Sequence, residues 1–94
     1  MVVTVEEFKA HLRIQYDEED GYLESLLRQA QAAAEDFCRV AFEDVAPEPV
    51  QLAVLLMASH YYENRDNPDK QVYLAMRLAF ENLLYPYRDV NQMF

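Results

Sequence analysis

A single glycine, Gly21, stands in a chain of 94 residues, with four prolines. Sandwiches and barrels need a turn signal every 8 to 12 residues or so, and this chain cannot supply them. Long helices joined by few breaks satisfy the same composition. Apolar residues make up 52% and charged residues 27%, too rich in core-forming side chains for a disordered segment. The expected fold is all-α: a small bundle of about four helices with one long central helix, forming a single domain over residues 1–94.

The hydrophobic periodicity locates the helices. Thr4-Val5-Glu6-Glu7 has the capping-box form, with Val3 and Phe8 placed to clasp the turn as a hydrophobic staple. Phe8 and Leu12 then give a short first helix over about 5–12. Asp17 is a candidate N-cap for the second, followed by Glu18, Glu19 and Asp20, whose carboxylates offset the positive helix end. Leu23, Leu26, Leu27, Ala30, Ala34, Phe37, Cys38 and Ala41 recur at three and four, predicting a helix over about 18–40. Glu24 with Arg28 and Glu35 with Arg39 stand at the favourable i, i+4 spacing. The alanines at 30 and 32–34 allow another helix to approach closely.

Pro47 and Pro49 close the second helix and suit the first turn of a third, expected from about Val50 to Asn64. The run Leu52 to Ala58 is apolar all round, and such a helix should be buried on most sides. Ninety-four residues can hardly bury it alone, which points to a subunit interface. Asn67-Pro68 marks a turn, Asp69 or Asn67 caps a fourth helix, and Pro86 ends it, leaving 87–94 as a tail.

Seventeen acidic residues against eight basic ones give a net charge of −9, which repels nucleic-acid backbone and anionic membrane alike. A sequence-reading nucleic-acid binder is disfavoured. The start lacks the basic and long apolar regions of a secretion signal, and no apolar run is long enough to span a bilayer. The single cysteine, Cys38, forms no intrachain disulfide and reads as a small core residue. His60 and Glu63 lie one turn apart, with His11 and Asp66 as conceivable companions, but the second Glu-x-x-His pair of a helical di-metal site is missing. The acidic run at 17–20 lacks the alternating spacing, glycine and distal Glu of a calcium loop. No nucleotide fingerprint or paired acid and base is present, so the expectation is a non-enzyme without cofactor or metal.

Five strings, in order along nearly the whole chain, carry a resemblance: Thr4 to Ile14, the acidic Asp17-Glu18-Glu19-Asp20, Ala53 to His60, Tyr62-Glu63-Asn64-Arg65, and Leu83 to Arg88. Together they resemble the head-tail connector (adaptor) family of long-tailed phages and prophages. Where that family ends its second helix with a Gly-Arg turn, Cys38-Arg39-Val40 stands here. Where it carries Pro-x-Gly before the terminal Leu-Leu segment, Arg77-Leu78-Ala79 stands.

The resemblance implies a structural virion protein, made in the host bacterial cytoplasm and located at the head-tail junction. It implies a roughly twelve-fold ring that docks on the portal protein, extends the DNA channel for packaging and presents a surface to the stopper or tail completion protein. Tyr62, Glu63, Arg65, Tyr87 and Arg88 become interface candidates, with Glu63 and Arg65 in charge-assisted contacts that fix the end of the third helix. Glu18, Glu19 and Glu24 become candidates for an acidic bore that DNA passes without sticking. The competing expectation is a small acidic regulatory or antitoxin-like helical dimer that binds one protein partner through a two-fold interface.

Overall fold

A computed structural model of the chain describes residues 1–66 and 69–89. Four α-helices follow one another: α1 over Val5–Leu12, α2 over Asp20–Cys38, α3 over Glu48–Glu63 and α4 over Lys70–Leu84, with a 3₁₀ turn at Tyr85–Tyr87. No strand occurs among the described residues. The lengths are 8, 19, 16 and 15 residues, so α2 is the longest by a small margin only. The two principal helix–helix seams are both made by α3, with α2 and with α4, while α2 meets α1 and α4 only slightly. The expected long central helix is therefore divided between two elements: α2 is long and α3 is central. The physical cause is composition, since only α3 has apolar residues on every side.

The first helix is capped as its sequence dictates. Thr4 Oγ1 accepts from the Glu7 N–H at 3.1 Å and Glu7 Oε1 accepts from the Thr4 N–H at 3.0 Å, completing the capping box. Val3 and Phe8 are both buried in the common core. Asp17, the candidate N-cap of α2, does not cap it. Its carboxylate and that of Asp20 hold the Lys9 ammonium instead, raising that group's pKa, and Glu19 occupies the cap position without a side-chain bond to the helix N–H groups. The attraction of a cation across the α1–α2 corner outweighs one orphan N–H that water can reach.

Both α1 and α2 end on an arginine in the left-handed region, Arg13 at φ 62° and Arg39 at φ 59°. At Arg13 the paired bonds Ile14 N–H to Lys9 O and Arg13 N–H to Ala10 O form a Schellman motif. At Arg39 the backbone N–H donates to Glu35 O, and the side chain leaves the helix face. The expected Glu35–Arg39 ion pair is accordingly absent. Glu35 Oε2 accepts from the Phe42 N–H at 2.8 Å and from Gln31 at 3.3 Å, which folds the 40–46 loop back on α2.

Pro47 and Pro49 open α3 as expected, two residues before the anticipated Val50, because the first helical N–H groups need no partner there. The fully buried Ala30 and Ala34 of α2 let α3 come close, and Val50, Ala53, Val54, Met57 and Ala58 fill the seam. Asp69 caps α4 by accepting from the Gln71 and Val72 N–H groups. The alternative cap Asn67, the Asn67-Pro68 turn and the last part of the tail, 90–94, lie outside the described residues. Phe80 and Leu84 complete the core, each with no exposed surface. Burial of a side chain of this size contributes roughly 1.5–3 kcal/mol. Beyond Pro86 the chain turns back across α2: the Asp89 N–H donates to Cys38 O at 2.8 Å and Arg88 Nε to Phe37 O at 3.0 Å.

Candidate interaction surfaces

Three features of the surface stand out: a polar clasp between α2 and α3, a cationic cluster on Phe37, and two apolar stripes. The clasp is centred on Glu19. Its Oε1 accepts from Tyr62 at 2.9 Å and from Tyr16 at 3.0 Å, and its Oε2 accepts from Arg65 at 2.8 Å. The guanidinium of Arg65 lies 4.9 Å from the Tyr62 ring centre and 5.3 Å from that of Tyr22. The Arg65 donation, followed by those of Tyr62 and Tyr16, holds the Glu19 carboxyl below the usual carboxylate range. The Tyr62 hydroxyl is pushed up by its bonds to Tyr16 and Glu19.

Of the interface candidates read from the sequence, Tyr62 and Arg65 are thus engaged within the chain. Arg65 takes its carboxylate from Glu19, 46 positions earlier, rather than from Glu63. Glu63 is exposed and has no hydrogen bond or ion pair among the described residues. Tyr87 is half-buried against the core, and the Arg88 guanidinium sits 4.5 Å from the Phe37 ring centre, where Arg77 also approaches to 6.0 Å. Of the acidic candidates, Glu24 pairs with Arg28 at 2.7 Å as its spacing predicts. Glu19 is spent on Arg65, and Glu18 is exposed. The burial of Cys38 pushes its thiol pKa up. His60 Nδ1 stands 3.2 Å from the Asn64 amide, and no group of His, Cys, Asp or Glu able to hold a metal ion occurs among the described residues. Nor is any described helix long and apolar enough to cross a membrane.

The apolar stripes are the part the sequence reading underestimated. The helix expected to be buried on most sides leaves Leu52 50% exposed, with Leu55 and Leu56 only partly covered. Leu52 and Leu56, together with Val72 and Met76 of α4, line a groove of about 340 Å³ that His11, Ser59 and Glu63 border. Ser59 Oγ is buried there without a hydrogen-bond partner. The second stripe lies on the outer face of α4, where Leu74 is 53%, Leu78 63% and Tyr85 64% exposed. Leu74 and Leu78 stand off the core stripe Tyr73, Met76, Phe80 and Leu84. Two leucines at i, i+4 on an otherwise polar face were the available signal.

Comparison with known proteins places this architecture. The sequence model of the phage gp6-like head-tail connector proteins matches residues 2–91, nearly the whole chain. No curated protein and no solved structure gives a significant match. The match covers residues 2–91 of this four-helix chain, and the chain belongs to the phage gp6-like head-tail connector protein family.

Proposed function

We propose that this chain is a structural component of the virion that forms a ring beneath the portal protein, extends the DNA channel and offers the stopper or tail completion protein its docking surface. The observation that carries the reading is the pair of apolar stripes. The α3 groove and the outer face of α4 are two separate surfaces on one small chain. A closed two-fold dimer uses one patch twice, whereas head-to-tail growth into a ring needs two different patches, one for each neighbour. Roughly twelve copies complete the ring, as family membership implies. Glu18 and Glu24 face the bore, where unneutralised carboxylates keep phosphate contacts few. Tyr87 and Arg88, at the end of the chain that doubles back over α2, contact the portal or the neighbouring copy.

The test is co-sedimentation with a purified portal ring, followed by light scattering of the bound fraction. Portal-bound material with a copy number near a dozen is the expected result. A discrete two-fold dimer that ignores the portal would refute the reading and favour the regulatory alternative.

A further inference from the structure

The α3 groove and the α4 ridge have matching chemistry. Along the outer face of α3 run Glu48, Leu52, Leu56, Ser59 and Glu63, an apolar strip with a carboxylate at each end. Glu48 and Glu63 are both exposed and have no ion pair among the described residues. Along the outer face of α4 run Lys70, Leu74 and Leu78 at successive i, i+4 positions, then Tyr85. Lys70, like Arg13 and Arg39, has no ion pair among the described residues, whereas Lys9, Arg28, Arg65 and Arg77 are each paired within the chain. The two strips have equal reach: 16 residues of α3 span about 24 Å and 15 of α4 about 22 Å. Among the groove's lining, with Leu52, Leu56 and Met76, is the orphaned Ser59 hydroxyl. Such a socket suits a side chain with an apolar body and a hydrogen-bonding tip.

We propose that the occupant of the α3 groove is the α4 ridge of a second copy of this chain, laid parallel to α3, with Lys70 against Glu48, Leu74 and Leu78 over Leu52 to Leu56, and the Tyr85 hydroxyl reaching Ser59 and Glu63. The opposite direction would bring Lys70 to Glu63 and leave the Tyr85 hydroxyl far from the orphaned serine. This pairing rests on the ring reading above and adds to it the two surfaces that meet, their register and their direction.

The experiment uses two variants of the full chain, Leu78→Asp on the ridge and Leu52→Asp in the groove, both at exposed positions, with circular dichroism confirming that each folds. Analytical ultracentrifugation up to millimolar concentration follows each alone and the two mixed. Each variant alone is expected to be monomeric, because its own kind lacks one of the two surfaces. The mixture is expected to give a dimer that grows no further, since one intact groove meets one intact ridge. Glu48→Lys should weaken self-association at least about tenfold, as should Lys70→Glu, and the double variant should restore it. A Leu78→Asp chain that assembles as the unaltered protein does, or swapped charges without rescue, would overturn the pairing. So would an unaltered chain that stays monomeric at millimolar concentration. None of these bears on portal binding: copies that collect on the portal while the groove and ridge variants behave as the parent would leave the ring standing and remove only this interface. Should either variant fail to fold, Leu78→Ser and Leu52→Ser replace it with the same expectations.

Discussion

Arg39 offers the sharpest test of the backbone reading. It ends α2 at φ 59° and ψ 34°, a region where an L residue crowds its Cβ against the carbonyl oxygen and costs roughly 1–2 kcal/mol. Glycine has no such cost but loses more freedom on folding, about 0.4–1 kcal/mol. Arg39→Gly should therefore be more stable than Arg39→Ala by about 1 kcal/mol, a difference in Tm of about 4–8 °C for a domain of this size. The alanine variant is the necessary reference. Both substitutions remove the cation that favours a helix C-terminus, a contribution of about 0.3–1 kcal/mol, so only their difference isolates the Cβ. In ordinary helical conformation the order would reverse, with alanine ahead by roughly 0.5–1 kcal/mol. Urea denaturation followed by circular dichroism measures both. Equal stability, or alanine ahead, would refute the left-handed assignment.

Thr4→Ala should cost about 1 kcal/mol by removing the acceptor for the Glu7 N–H, read as a shift in the urea midpoint without a change in slope. Phe80→Ala should cost about 3–5 kcal/mol, since the ring is fully buried, and thermal melts should show most of the domain's stability gone. The pH dependence follows from Glu19, whose folded pKa lies below its ordinary 4.5. A depressed carboxylate contributes stability that is complete above the unfolded value and is lost as pH falls through the folded one. Melting temperature should therefore drop as pH falls below about 4.5, and Glu19→Gln should lower the neutral-pH value while flattening that slope; an unchanged slope would show that the Arg65 clasp contributes nothing.

Much of this protein was local and therefore legible in its sequence. The Thr4 capping box, the Glu24–Arg28 pair, the Asp69 cap and the prolines that open α3 and close α4 all depend on residues within four positions of one another. Helical geometry alone decides such contacts. The resemblance that led to the family rested on the same kind of signal, short strings in a fixed order. Tertiary structure decided the rest. Whether Arg65 pairs with Glu63 or with Glu19 depends on where α2 starts relative to the end of α3, a relation across 46 positions that no local pattern encodes. Asp17 was placed to cap α2, yet Lys9 on the preceding helix competes for it, and a cation wins over an N–H that water can satisfy. The all-apolar run of α3 announced more hydrophobic surface than one small chain can bury. Only the packing of α2 and α4 on either side revealed which residues stay uncovered: Leu52 on α3, and Leu74 and Leu78 on α4. Hydrophobic burial is non-directional, so a sequence states how much surface must leave water, and the arrangement of the helices states which part is left for a partner.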